Sequence, residues 1–93
     1  MRTIRYTSRF RRDYKRELAG PHGKTLDVVL IAAVDLLAVD AALPHRNFDH
    51  PLSGAWTDFR DCHLKPDLLL IYPKPDAATL ELVRVGSHSE LGL

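Results

Sequence analysis

The chain has 93 residues, a hydrophobic fraction of 45%, a charged fraction of 27% and a formal net charge of +1, values typical of one small globular domain. These numbers exclude a disordered or collagen-like chain, and a cysteine count of one excludes a scaffold held by intrachain disulfides. The first residues lack the apolar core of a signal peptide, and no apolar stretch approaches the length of a membrane span. We therefore expect a single soluble, cytoplasmic domain over residues 1–93 with no membrane partner.

The first two predicted elements are a short strand and a helix. Residues 3–6 alternate polar and apolar side chains, as a half-buried strand does. Ser8 is then a suitable N-cap, and Gly20-Pro21 ends the helix because proline has no amide hydrogen to donate. An apolar stripe with the spacing i, i+4 and i+8 runs along this helix and consists of Phe10, Tyr14 and Leu18.

The charges are unevenly distributed, and the basic ones concentrate on this first helix. Residues 1–24 contain eight basic and two acidic side chains, whereas the remainder contains five basic and ten acidic ones. A basic helix exterior predicts a polyanionic partner such as nucleic acid, and a solvated face without a partner is the alternative. The basic residues on the helix are Arg9, Arg11, Arg12, Lys15 and Arg16.

A second helix is predicted over residues 24–39. It is apolar over most of its circumference, so we expect it to pack against the rest of the protein on more than one side. A strand is the competing assignment because the segment is rich in valine, but the length of the apolar run favours a helix.

Three strands are predicted in the second half of the chain, over residues 55–63, 68–74 and 79–85. The middle strand is continuously apolar over residues 68–72, which predicts a central strand covered on both faces. Turn residues at 65–67 and 73–76 connect the three strands as a meander. The order β-α-α-β-β-β predicts an α+β fold with two N-terminal helices packed on one face of a small, antiparallel-dominated sheet.

A cluster of titratable side chains is predicted at one edge of this sheet. The first and third strands of a meander end at the same edge, which brings His63, Asp67 and His88 together, and His50 joins them if its loop folds over. From spacing alone this set has three interpretations: acid–base catalysis, a His₃Asp metal site, or unrelated polar residues at strand ends. The metal interpretation is weakened by the absence of a helical i, i+4 histidine pair or of paired cysteines.

Several ordered motifs in the second half of the chain resemble one family of bacterial toxins. They are Asp49-His50-Pro51-Leu52, Gly54, Trp56, Arg60-Asp61-Cys62-His63, Pro66-Asp67, the strand Leu69-Leu70-Ile71-Tyr72, and Arg84 with Gly86-Ser87-His88. With these motifs the chain resembles the YafQ branch of the RelE/ParE superfamily. The resemblance implies a RelE-like fold and a toxin of a type II toxin–antitoxin system.

The resemblance also implies an activity and its residues. It implies a ribosome-dependent endoribonuclease that cleaves mRNA in the A site by attack of a ribose 2′-OH, with acid–base catalysis and no metal or other cofactor. The positions that match the catalytic set of the family are His50, His63, Asp67 and His88, and Arg84 matches a phosphate-binding position. The family does not tell which histidine is the base and which the acid.

The partners that the resemblance implies are an antitoxin encoded in the same operon, the 70S ribosome with mRNA, and operator DNA through the antitoxin complex only. The basic residues of the first helix would then contact ribosomal RNA. Gly92-Leu93 departs from the family, whose members usually have a phenylalanine directly after the leucine that matches Leu91. Because of this departure, a non-catalytic module with the RelE fold is the alternative function, and a metal-dependent hydrolase is a further one.

Overall fold

The computed structural model describes residues 2–73, 76 and 78–93. Along these residues the elements are β1 (Thr3–Tyr6), α1 (Ser8–Leu18), α2 (Leu26–Ala38), β2 (His50–Pro51), β3 (Phe59–Lys65), β4 (Leu68–Pro73), β5 (Thr79–Leu82), β6 (Arg84–Gly86) and α3 (His88–Leu91). The predicted α+β fold is confirmed, and the structure adds β2 and α3. The predicted strand end at Lys74 and the turn residue Pro75 lie outside the described residues.

Helix α1 lies where it was predicted, but its cap is one residue earlier. The hydroxyl of Thr7 accepts a hydrogen bond of 3.0 Å from the amide of Phe10, so Ser8 is the first helical residue and not the cap. The same hydroxyl donates to the carbonyl of Val83 at 2.8 Å. This one side chain therefore both starts α1 and holds it against the C-terminal part of the chain.

Helix α2 packs against the sheet with one side only, through Leu26, Leu30, Ala33, Leu37 and Ala38. The prediction that it packs on more than one side is wrong for this chain alone, because Val28 is 70% exposed and Ile31 is 56% exposed. The outer faces of the two helices leave an open groove, here called the α1–α2 groove, lined by Tyr6, Phe10, Arg11, Tyr14, Lys15, Leu18, Asp27, Leu30 and Ile31. An apolar helix in a small domain has thus kept part of its apolar surface in solvent.

The strands form two sheets in the described part of the chain. One has the order β2-β3-β4-β6 and is antiparallel, and the other is a parallel pair of β1 with β5. The third predicted strand is therefore divided at Val83, because its first half pairs with β1 and its second half with β4. The first predicted strand also begins later than expected, at Phe59, because residues 54–56 form a 3₁₀ turn that starts at Gly54 with φ +65°.

Strand β4 is the centre of the core, as predicted. It lies between β3 and β6, and every residue over 68–72 is at most 1% exposed. Its alternating side chains separate two apolar clusters. Leu68, Leu70 and Tyr72 face the helices, whereas Leu69 and Ile71 pack with Leu91 of α3 and with Leu52, Trp56, Phe59 and Val83 on the opposite face.

Two further observations bear on the class of protein. No helix among the described residues is long and apolar enough to span a membrane. Cys62 on β3 is fully buried in the core beneath the helices, and burial raises the pKa of its thiol to about 12. An unreactive thiol in this position packs as a small apolar side chain.

Candidate functional site

The pairing of three strands determines which side chains meet at the sheet edge. Leu69 of β4 lies opposite His63 on one side and opposite Gly86 on the other, so His63 and the residues that follow β6 come together. The ring centroids of His63 and His88 are 5.4 Å apart, with the rings nearly perpendicular. The structure thus brings these two histidines together, as the meander predicted.

Asp67 holds His88 through two contacts. Its carboxylate Oδ1 accepts from the backbone amide of His88 at 3.1 Å and lies 2.5 Å from ring atom Nδ1. These hydrogen bonds from His88 lower the pKa of Asp67, so the carboxylate stays ionised and Nδ1 carries the hydrogen. His88 begins α3, where a capping box between Ser87 and Glu90 fixes the backbone. The ring of His88 is therefore oriented with Nε2 directed away from Asp67.

His50 reaches the same region by a different route, through β2. It lies opposite Asp61 of β3, and its Nδ1 is 3.0 Å from Oδ1 of Asp61 and 2.6 Å from the carbonyl oxygen of Phe48. A carbonyl only accepts, so Nδ1 of His50 donates the hydrogen and Nε2 is the acceptor of the neutral ring. The imidazole side chain is 51% exposed, which leaves Nε2 accessible to a ligand.

Asp61 is the residue of this site that sequence reasoning missed. The residue is 3% exposed, and its Oδ1 lies 3.0 Å from Nδ1 of His50 but accepts no hydrogen bond among the described residues, because that nitrogen donates to the carbonyl of Phe48. Burial raises the pKa of Asp61, while the nearby imidazoles of His50, His63 and His88 oppose that rise. The sequence pattern could have indicated this position. Residues two apart on a strand share a face, and Asp61 is two residues before His63.

Arg84, the predicted phosphate-binding residue, is held by a carboxylate from α1. Its Nε and one terminal nitrogen donate to the two oxygens of Asp13 at 2.6 and 3.1 Å. The amide of Val85 and the guanidinium of Arg16 also donate to Asp13, at 3.2 and 2.9 Å. Burial alone would raise the pKa of Asp13, but these hydrogen bonds and charges outweigh it and lower the pKa.

The five basic residues of α1 divide into two groups. Arg16 pairs with Asp13, Glu17 and Glu90 and donates to the carbonyl of Val85, so its charge is engaged within the fold. Gly86 leaves room for this contact, because a Cβ there would lie 2.8 Å from a terminal nitrogen of Arg16. The other group has side chains in solvent and consists of Arg9, Arg11, Arg12 and Lys15.

The loop before β2 completes the surroundings of His63. The side-chain amide of Asn47 donates to the carbonyl of His63 at 2.7 Å, and the Phe48 and His63 ring centroids are 5.5 Å apart. A cavity of about 440 Å³ opens beside them, lined by Arg46, Asn47, Phe48, His63, Leu64, Lys65 and Pro66. Sequence reasoning assigned no role to this loop.

The arrangement suits proton transfer. The rings of His63 and His88 are adjacent, His50 lies against the buried carboxylate of Asp61, and both His50 and His88 have Nδ1 positioned by an acceptor. Within residues 2–73, 76 and 78–93, no group of three or more His, Cys, Asp or Glu side chains is placed so that it could hold a metal ion.

Comparisons with known proteins agree on one family. Residues 2–92 match the family described as the bacterial toxin of type II toxin–antitoxin systems, YafQ. The mRNA interferase toxin YafQ of Escherichia coli K12 is 34% identical over 90 residues, which cover 97% of this chain and 95% of that protein. A copper-bound mutant toxin from Helicobacter pylori is similar in structure with a TM-score of 0.85 and 35% identity, over 98% of this chain and 99% of that one. YafQ in the DinJ–YafQ complex of Escherichia coli gives a TM-score of 0.80 at 32% identity, over 98% of each chain.

Proposed function

The chain belongs to the YafQ family of toxins from bacterial type II toxin–antitoxin systems, and on this premise we propose that it is a ribosome-dependent endoribonuclease that cleaves mRNA in the A site without a metal ion. The observation that carries the proposal is the contact of the His63 and His88 rings, with Asp67 bound to His88 and with His50 held beside the buried Asp61. Cleavage of RNA by its own 2′-OH needs a base, an acid and cations near the phosphate, and does not need a metal.

Each titratable residue has a role in this proposal. His50 removes the 2′-OH proton through Nε2, because its Nδ1–H donates to the Phe48 carbonyl. His88 donates a proton to the leaving 5′-oxygen, and Asp67 holds the ring in the orientation required. His63, between Phe48 and His88, contacts the substrate in the transition state. The attack forms a 2′,3′-cyclic phosphate and releases a 5′-hydroxyl.

Cationic side chains offset the charge that develops on the phosphate. We propose that Arg84 contacts the phosphate with the terminal nitrogen that Asp13 does not occupy, so that Asp13 orients the guanidinium. Arg46 and Lys65 line the cavity beside His63 and would contact the neighbouring phosphates.

We propose that the exposed basic residues of α1 bind ribosomal RNA. Replacing Arg9 and Arg12 by Ser should weaken ribosome association and reduce its salt dependence by about one unit of slope for each lost phosphate contact. Arg16→Ser should instead lower the stability of the fold, because Arg16 pairs within it. Co-sedimentation with ribosomes at two salt concentrations measures the first effect, and undiminished pelleting of the Arg9, Arg12 variant would contradict the assignment.

The proposed protein partner is an antitoxin encoded in the same operon, which would also carry the complex to operator DNA. The related YafQ has been crystallised with DinJ. The α1–α2 groove supports an acidic, amphipathic partner segment, because it combines Tyr6, Leu18 and Ile31 with Arg11 and Lys15. Co-expression with the adjacent small gene should yield a stable complex, and purification of the toxin as a free monomer in its presence would contradict this partner.

Cleavage itself is tested by brief expression of the toxin without a partner, followed by mapping of transcript 5′ ends. We expect new 5′-hydroxyl ends within translated regions, and none with His88→Gln. A reconstituted reaction with purified ribosomes in Mg²⁺ should proceed with toxin that was treated with a chelator and then freed of it. Inhibition of protein synthesis without new ends would favour the non-catalytic binding module, and loss of cleavage with the treated toxin that is restored by an added transition metal would favour a metal-dependent hydrolase.

A further inference from the structure

Phe48 is an aromatic residue whose position the packing of the core does not explain. It is 65% exposed, although phenylalanine is ordinarily buried, and it belongs to neither apolar cluster of the described residues. Its backbone is left-handed, with φ 45° and ψ 44°. A non-glycine residue adopts this strained conformation only where the surroundings impose it, and such residues concentrate at functional sites.

The contacts of Phe48 connect it to two of the histidines. Its carbonyl accepts from Nδ1 of His50 at 2.6 Å, and its amide donates to the carbonyl of His45 at 3.0 Å. Its ring lies against that of His63, with centroids 5.5 Å apart and a tilt of 58°. The side-chain amide of Asn47 anchors the same loop to the backbone of His63. The ring is thus fixed beside the reacting groups while most of its surface remains in solvent.

The surroundings of the ring have the chemistry of a site for single-stranded RNA. Phe48 lines the cavity next to His63 and also a second one of about 750 Å³ that extends to His50. Arg46 lines both cavities, and Lys65 lines the first. Proteins that bind unpaired nucleotides combine such cations, which contact phosphates, with exposed aromatic rings on which bases stack.

We propose that Phe48 is the platform on which a base of the substrate stacks, next to the bond that the histidines cleave. The inference rests on the proposed endoribonuclease function and adds to it the residue that positions the base. Stacking on a π face does not require a particular hydrogen-bond pattern, so Phe48 would increase affinity and hold the ribose in place while leaving base choice to polar neighbours.

The first test measures stacking without cleavage. In the full chain with isotopically labelled phenylalanine rings, adenosine 5′-monophosphate should shift the ring resonances of Phe48 upfield, and inorganic phosphate should not. Phe48→Leu identifies the Phe48 signals by their loss. If the ring resonances of Phe48 do not move with the nucleotide, or move equally with phosphate, the proposal is overturned.

The second test compares two variants in cleavage of ribosome-bound mRNA. Phe48→Leu keeps an apolar side chain without a π face and should lower kcat/KM by about 5- to 150-fold, the range that loss of one stacked base gives. Phe48→Tyr keeps the ring and should stay within about twofold of the unaltered protein. Equal cleavage by the unaltered protein and Phe48→Leu would overturn the proposal, and equal loss in both variants would show a structural role instead.

A matched control separates this result from general effects of surface changes. Val28→Ala removes an exposed apolar side chain from α2, far along the chain from the loop, and should leave cleavage unchanged. If the unaltered protein itself fails to cleave, the proposed function fails, whereas the nucleotide titration still decides whether a base stacks on Phe48.

Discussion

Asp13 on α1 and Asp61 on β3 are buried to the same degree, each 3% exposed, yet their surroundings are opposite. Asp13 receives hydrogen bonds from Arg84, Arg16 and the amide of Val85. Asp61 has Nδ1 of His50 at 3.0 Å from its Oδ1, but this oxygen accepts no hydrogen bond among the described residues. The pKa of Asp13 is lowered and that of Asp61 is raised.

The difference teaches how one small fold uses the same residue type for two purposes. A buried carboxylate with guanidinium and amide partners has its charge compensated, so it connects elements and holds the fold together. A buried carboxylate without such partners keeps a strong field in a region of low dielectric constant, and that field acts on any group that gains or loses a proton nearby. We therefore assign Asp13 to the framework and propose that the field of Asp61 acts on the histidines during the reaction.

The largest effect is expected on the cleavage rate, from a substitution in the histidine cluster. His63→Gln should lower the cleavage rate by about 10²- to 10³-fold, the usual cost of losing one contact to the transition state, and leave the free energy of unfolding nearly unchanged. Cleavage assays and urea unfolding measure the two quantities. Asp35→Asn, on the exposed side of α2, is the control and should change neither. A large loss of stability in His63→Gln would assign that histidine to the framework.

The next largest effect is expected on the free energy of unfolding, from loss of the buried Asp13–Arg84 ion pair. Asp13→Ala leaves Arg84 without its carboxylate partner and should lower the free energy of unfolding by about 3 kcal/mol, as the breaking of a buried ion pair does. Asp40→Asn is the control, because the side chain of Asp40 is 85% exposed, asparagine tolerates its left-handed backbone, and the pair with Arg2 should contribute less than about 1 kcal/mol. If urea unfolding gives similar losses for both variants, the Asp13 network does not hold the fold.

A smaller effect is expected for the other buried aspartate. Asp61→Asn removes a buried charge that has no guanidinium or amide donor on its Oδ1, so the free energy of unfolding at pH 7 should stay within about 1 kcal/mol of the unaltered protein or increase. Cleavage should decrease, because the histidines lose the neighbouring charge. A loss of stability as large as that of Asp13→Ala would remove the distinction between the two residues.

The smallest effect is the pH dependence of these differences. A lowered pKa means that the stabilisation by Asp13 is present above the ordinary value of 3.8 and is lost as the pH falls through the folded-state pKa. A raised pKa means that Asp61 stabilises the fold below 3.8 and that this contribution is lost as the pH rises through its folded-state pKa. The stability differences of Asp13→Ala and Asp61→Asn from the unaltered protein should therefore both shrink in acid, and unfolding curves from pH 7 to pH 3 test this.

Much of the fold could be predicted because it follows from local patterns. The apolar run at 68–72 specified the central strand. The apolar stripe of α1 was only partly right, because Phe10 is buried while Leu18 is 41% exposed, and Asp13 and Glu17 are buried in its place. The meeting of His63, Asp67 and His88 also followed, because antiparallel neighbours bring alternate strand ends to one edge.

The parts that could not be predicted depend on partners far apart in the chain. Nothing near Arg84 in sequence shows that its guanidinium pairs with Asp13, or that Val83 is the point where the last strand changes partner. The exposed side of α2 was also unforeseen, because periodicity shows which residues are apolar and not what covers them. The left-handed backbone of Phe48 has no local signal either, since phenylalanine is not a residue that favours it.

The parallel pairing of β1 with β5 has a consequence for the order in which the molecule folds. Thr3 lies opposite Thr79, so this pair closes nearly the longest loop that the chain contains, and such contacts form late and slowly. The β3–β4 hairpin closes early by comparison, because its strands adjoin in sequence. Since β5 continues through Val83 into β6 and then to His88, we expect docking of the first strand to be coupled to the arrival of the last histidine. On this expectation the histidine cluster assembles at the end of folding, and a partly folded chain lacks it.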